Sequence, residues 1–227
     1  MPDDTRLLAG RSVSAVSLGC MSLSHGYGEK SSSEHSEKFL SKALDLGYTM
    51  LDTAAVYGYG HNESMIGKFI SQRRNEFFLA SKCGFGQQPD SKPSVNGRPE
   101  HIRVTCEASL KRLQTEHIDL YYLHRRDFTV PIEDSIGALA DLCQEGKIGA
   151  VGVSEISAAD LHKAHAEHPI SAIQSEYSLW TRNVEIEVLE ASQKIGAAFV
   201  AFSPLARVLL TNKLHDTSQL VEYDLRH

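Results

Sequence analysis

The sequence has no apolar run long enough to span a bilayer, no block of basic residues and no closely spaced cysteine pair. The first absence argues against a membrane helix. The second leaves no electrostatic footprint for a nucleic-acid backbone, since the formal net charge is −6. The four cysteines, Cys20, Cys83, Cys106 and Cys143, stand apart, which points to a reduced, cytoplasmic setting and away from a structural zinc. His162, His165 and His168 cluster, but in a stretch that reads as an exposed helix and its end, so no metal is expected. Residues Met1 to Arg6 lack the basic-then-apolar pattern of a secretory signal. Low-complexity linkers are also missing.

What is present is a chain of 227 residues, 41% hydrophobic and 23% charged, enough for one good core in a single domain over residues 1–227. Short apolar strands alternate with amphipathic helices. Strands are expected at Val13–Leu18, Tyr48–Leu51, Phe77–Ser81, Ile118–Leu123, Ile148–Val153, Ser171–Gln174 and Ala197–Phe202. Helix starts are marked by Ser31 with Glu34 at capping-box spacing, Asn62, Pro99, Pro131, Ser157 and Asn183. Stops are marked by Gly47, Gly146 and Gly196. The first helix should bury Phe39, Leu40, Ala43 and Leu44, and the last Ile186, Val188 and Leu189.

Seven strands alternating with six helices imply a parallel sheet. A doubly wound sheet of the dinucleotide-binding type should carry Gly-x-Gly-x-x-Gly after its first strand, whereas Leu18 is followed by Gly19-Cys20-Met21-Ser22. That weakens the doubly wound reading; the other candidate is a (β/α)8 TIM barrel, whose site lies at the C-terminal ends of its strands. Asp52, Lys82, His124, Ser154, Gln174 and Ser203 all fall there.

Asp52, Tyr57, Lys82 and His124 form a coherent acid–base set. A free phenol has a pKa of about 10, too high for efficient proton transfer near neutrality. A buried ammonium beside it should lower that value, with Asp52 keeping Lys82 charged. His124 can donate a hydrogen bond to a substrate oxygen. Such a set can protonate a carbonyl oxygen as hydride arrives, and the hydride must come from a bound cofactor. The alternative is an ordinary salt bridge, Asp52–Lys82, with Tyr57 as packing.

These residues and their surroundings resemble the aldo-keto reductase superfamily. The matching stretches include Gly47-Tyr48-x-x-Leu51-Asp52-Thr53-Ala54, Tyr57-Gly58, Asn62-Glu63-x-x-Ile66-Gly67, Ala80-Ser81-Lys82, Asp119 to His124, Gly152-Val153-Ser154, Gln174 to Tyr177 and Ser203-Pro204-Leu205. They run in order from about Leu18 to Leu205. Glu176 to Trp180 and Val130 to Glu133 most resemble the pyridoxal-reductase-like and perakine-reductase-like branch. The resemblance implies reduction of aldehydes or ketones with NADPH, without metal or flavin. It makes Tyr57 the proton donor, Lys82 and Asp52 its tuning pair, and His124 the substrate-orienting group. By the same resemblance Ser154 and Gln174 hold the nicotinamide carboxamide, Phe202 stacks on its ring, and Ser203, Leu205 and Arg207 follow the pyrophosphate. Glu155 departs from the Asn that many relatives carry after the serine. His25, Tyr27 and Trp180 are candidates for the substrate mouth, with loop packing as the alternative.

Family members continue for a further strand–helix unit, and no eighth strand or final helix is legible after Val208. The barrel is therefore expected to lack its last unit, and with it the basic segment that grips the adenosine 2′-phosphate. A fragment, a chain completed by a partner such as a second copy over the open edge, and a weakly active remnant are the three outcomes. The rival functional class is a non-catalytic nucleotide-binding or regulatory subunit.

Overall fold

The computed structural model describes residues 4–24, 26–27, 31–86, 94–222 and 224–226. It opens with a hairpin, β1 (Thr5–Leu8) and β2 (Arg11–Ser14). Seven strands follow: β3 (Leu18–Gly19), β4 (Met50–Asp52), β5 (Phe78–Cys83), β8 (Leu120–Leu123), β9 (Val151–Ser154), β10 (Ile170–Glu176) and β11 (Ala198–Phe202). They form one parallel sheet in chain order, with β3 and β11 at its edges. Between β5 and β8 a small ribbon pairs β6 (Phe85–Gly86) with β7 (Ser94–Val95). The six helices are α1 (Ser33–Asp45), α2 (His61–Ile70), α3 (Pro99–Leu113), α4 (Ile132–Gln144), α5 (Ala158–Glu167) and α6 (Val188–Lys194). The α/β alternation is thus the one expected, a (β/α) barrel open between its first and seventh strands.

The sheet is strongly curled. Gln174 on β10 donates to Asp52 Oδ2 on β4 at 2.8 Å. Four strand steps separate these residues along the sheet, roughly 19 Å if it were flat. Side chains alternate accordingly. Met50, Phe78, Leu120, Tyr122, Ala150 and Ala172 fill the inside. Leu51, Leu79, Tyr121, Val153 and Ile173 face the helices. Gly152 is needed opposite Tyr122, because a Cβ there would collide with the ring.

The first strand differs from expectation. Val13 and Ser14 belong to the hairpin rather than to the barrel, whose first strand is only Leu18–Gly19. Ala9 (φ 47°) and Gly10 (φ 75°) make the two-residue turn. Leu8 and Val13 pack onto the inner layer, and Arg11 pairs with Asp119, so the hairpin plugs the barrel floor.

Side-chain caps locate two of the six helices, α1 and α5, and a proline marks the start of α3. Ser32, one residue after the expected cap, accepts from the His35 N–H at 3.2 Å. Ser157 accepts from Asp160 N at 3.1 Å, and Pro99 opens α3. Phe39 is exposed, since the buried stripe runs through Ser36, Leu40, Ala43 and Leu44; its ring stacks on His35 instead. The last helix is split. Asn183–Glu185 form a 3-10 turn, and Ile186 beyond it is exposed. Glu185 is tied to Tyr177 and Arg182 on the preceding loop, which holds that turn out of line with α6.

After β11 the described chain forms only two 3-10 turns, Leu209–Thr211 and Thr217–Gln219. It then returns to the loop after β3, where Leu225 N–H donates to the Gly26 carbonyl at 2.9 Å and Arg226 lies over Tyr27. Among the described residues no helix is long and apolar enough to cross a membrane. One histidine of α5 has a structural use: His165 Nδ1 accepts from Ile170 N–H at 3.2 Å, where the helix turns into β10.

Candidate active site

Asp52 ends β4, Lys82 lies near the end of β5 and His124 follows β8, all on the inner face of the sheet. Tyr57 arrives from the loop after β4. That loop needs backbone freedom: Gly58 and Gly60 have φ of 58° and 87°. A Cβ on Gly60 would also press on the Arg112 side chain at 2.7 Å.

Lys82 is 1% exposed. Its ammonium contacts Asp52 Oδ1, donates to the Thr53 carbonyl at 2.8 Å and stands 3.5 Å from Tyr57 Oη. At that distance the Tyr57 contact is mainly electrostatic. Burial acts to bring Lys82 down, but the Asp52 charge and hydrogen bond, helped by Tyr57, outweigh it and hold the ammonium above its usual pKa. For Tyr57 the balance goes the other way. Burial raises the phenol above its ordinary value, Lys82 offsets that in part, and Asp52 opposes Lys82. The expected lowering of Tyr57 is therefore corrected: the ammonium pulls in the expected direction and burial wins.

The His124 ring meets Tyr57 edge-on at 5.8 Å and Phe85 at 5.1 Å. Burial, then the Lys82 and Arg125 charges, hold it well below the usual imidazole pKa. It is thus a neutral hydrogen-bond donor rather than a second acid near neutrality.

Ser154 and Gln174 are neighbours in register on β9 and β10, and both are buried. One N–H of the Gln174 amide goes to Asp52, and its carbonyl is left to accept. The Ser154 hydroxyl oxygen accepts from Arg125 Nη1 at 3.2 Å, leaving its proton to donate. One acceptor beside one donor matches the two faces of a primary carboxamide. Phe202 is half-buried at the end of β11, on the face shared by Ala198 and Val200 that pack inside. Ser203 has φ 49°, Leu205 is exposed, and Arg207 pairs with Glu176 at 3.1 Å on the edge of the mouth. Glu155 (φ 53°) accepts from Glu176 N–H at 2.8 Å. Of the mouth candidates, Tyr27 lies under Arg226, Trp180 is 72% exposed, and His25 lies outside the described residues.

Several contributors went unassigned from sequence. Asn62, fully buried on α2, accepts from Thr53 Oγ1 at 2.6 Å and donates to the Cys20 carbonyl and Ser24 Oγ at 2.8 Å. It pins the strand ends on which Asp52 stands. Glu63, also fully buried, accepts from Ser81 Oγ at 2.5 Å and from Arg112 at 2.7 Å. The signals were their place in the stretch Asn62-Glu63-x-x-Ile66-Gly67 and two polar residues on a helix whose other buried positions are apolar. Arg125, hydrogen-bonded to the His124 carbonyl and Ser154 Oγ, is a further contributor.

The model of the aldo/keto reductase family matches residues 15–226. A probable aldo-keto reductase 1 of soybean, Glycine max, is 42% identical over 201 residues, covering 87% of this chain and 58% of its own. The chain thus spans well under two thirds of that relative. A glycerol dehydrogenase of Gluconobacter oxydans superposes with a TM-score of 0.89 at 33% identity, over 100% of this chain and 71% of that one. An aldo-keto reductase of Bacillus halodurans in its holo form gives 0.86 at 30%, over 97% and 73%. The chain belongs to the aldo/keto reductase family.

Proposed function

We propose that residues 1–227 act as one domain that reduces aldehydes or ketones to alcohols with NADPH, Tyr57 donating the proton. The observation that carries this reading is the placement of Lys82, bound by Asp52 and the Thr53 carbonyl and directed at Tyr57 Oη. The inner donor–acceptor pair at Ser154 and Gln174 fits a nicotinamide carboxamide. Phe202 would stack on the ring, with Ser203, Leu205 and Arg207 along the pyrophosphate. When bound, NADPH supplies the hydride.

The protein's part is proton delivery and orientation. His124 Nε2–H or Nδ1–H, neutral in this environment, holds the substrate oxygen. As negative charge builds on that oxygen, Tyr57 Oη gives up its proton to it. The phenolate left behind is stabilised by Lys82, whose charge at such range is worth on the order of 4 kcal/mol at an effective dielectric of 20. Burial keeps the phenol protonated until the substrate oxygen becomes the stronger base. Glu176 to Trp180 and Val130 to Glu133 support placing the chain near the pyridoxal-reductase-like and perakine-reductase-like branch.

The test is NADPH oxidation with benzaldehyde by the wild type and by Lys82→Met. The variant should lose at least about 100-fold in kcat while still binding NADPH, as followed by fluorescence. Equal turnover in the two proteins would remove Lys82 from the mechanism.

A further inference from the structure

Arg125 stands at the mouth of the same site. Its Nη1 donates to the His124 carbonyl at 2.6 Å and to Ser154 Oγ at 3.2 Å. Among the described residues its Nε and Nη2 make no hydrogen bond, and the guanidinium is in no ion pair. The neighbouring anions are committed elsewhere. Asp52 is taken by Lys82 and Gln174, and Glu155 accepts from the Glu176 backbone. Glu155 attracts Arg125 without touching it. Burial pulls the guanidinium down from its usual value, yet arginine remains a cation. The mouth therefore holds a half-buried charge, fixed through Nη1, with one edge of its planar fork open. That edge presents two parallel N–H groups, the geometry a carboxylate fills.

We propose that Arg125 is a specificity-determining residue that binds a carboxylate on the substrate, so that the preferred substrates are carboxylate-bearing aldehydes or ketones. The proposal rests on the reductase reading above and names its substrate class. Phe85, whose ring meets His124 edge-on at 5.1 Å, gives the carbon skeleton an apolar wall. The overall charge of −6 would repel such anions at long range, so their selection must be local, at Arg125.

Two measurements test this. In the first, kcat/KM with NADPH is compared for 4-carboxybenzaldehyde and its methyl ester, methyl 4-formylbenzoate, which keeps the shape and removes the charge. The wild type should favour the carboxylate at least tenfold. Arg125→Gln should lose that preference, mostly through KM, and Arg125→Lys should restore part of it. A wild type indifferent to the charge, or a preference that survives in Arg125→Gln, would overturn the proposal. So would an equal loss with both aldehydes together with a raised KM for NADPH, which would give the guanidinium to the cofactor's phosphates.

The second measurement needs no turnover. Binding of 4-(hydroxymethyl)benzoate is followed by saturation-transfer NMR in the wild type and in Arg125→Gln. At least tenfold weaker binding in the variant is expected, and equal binding contradicts the proposal. If NADPH is oxidised with neither aldehyde, the reductase reading fails on its own, and this binding experiment still decides the role of Arg125.

Discussion

Lys82 and His124 are both buried against Tyr57, and burial alone favours the neutral form of each. Asp52 reverses the outcome for Lys82 only. Among the described residues no carboxylate offsets burial at His124, which is left uncharged between two cations, Lys82 and Arg125. This has a consequence for stability. The unfolded chain protonates this histidine below about pH 6.5, whereas the folded chain keeps it neutral to a lower pH. The unfolded state therefore binds more protons in that window. Stability is fully present above pH 6.5 and falls as the pH drops toward the folded value, by about 1.4 kcal/mol for each pH unit. His124→Gln has no such group. Its urea-unfolding free energy should fall less steeply than the wild type's between about pH 6.5 and 5, and parallel curves would show that His124 protonates freely in the fold.

Among the elements, α2 and α3 pack so closely that side chains are excluded. A Cβ on Gly67 would run into the Arg112 carbonyl and the Leu113 backbone, neither of which can swing aside. Gly67→Ala should therefore destabilise the protein by about 1–3 kcal/mol, read as a lower thermal midpoint. The loop after β11 has the opposite flaw. Val208, β-branched, sits at φ 82°, a conformation that suits glycine. Val208→Gly should relieve strain of about 1–3 kcal/mol, less the entropy cost of glycine of about 0.5–1 kcal/mol, and raise the midpoint by a few degrees. A lower midpoint would mean that the valine side chain contributes more packing than its backbone loses.

At this same level the sequence was readable where local chemistry acts alone. Ser157 and Pro99 mark real helix starts, and Gly47, Gly146 and Gly196 real stops, each with φ above 70°. The hairpin was hidden because its turn puts an alanine where Asn or Asp normally signals positive φ. The break before α6 was hidden because Glu185 is held by side chains of the preceding loop rather than by its own helix. In the site, Asp52, Lys82 and His124 were legible as strand-end polar residues and Tyr57 as a loop tyrosine just beyond Asp52, and the four do come together. Asn62 was not assigned, since its partners Cys20 and Ser24 lie about 40 residues away. Nor was Arg125, whose partner Ser154 lies on the next strand. The Tyr57 shift escaped because its sign depends on how deeply the phenol is buried, which spacing does not encode.

For the molecule as a whole, the site exists only because the sheet curls. Gln174 reaches Asp52 across the barrel, so a group expected to meet cofactor on β10 also holds the carboxylate that charges Lys82. The hairpin closes the floor with Leu8 and Val13, and the returning segment at Leu225 meets the loop after β3 at the rim. At the centre of this frame one buried phenol stands beside one ammonium. The most direct test is the pH dependence of kcat/KM for aldehyde reduction in the wild type and in Tyr57→Phe. The account predicts a wild-type rate with no inflection near the ordinary histidine pKa, falling only in the alkaline range as the Tyr57 proton is lost, and a Tyr57→Phe rate at least about 100-fold lower without that alkaline fall. Equal rates in the two proteins, or the same alkaline fall in both, would contradict it.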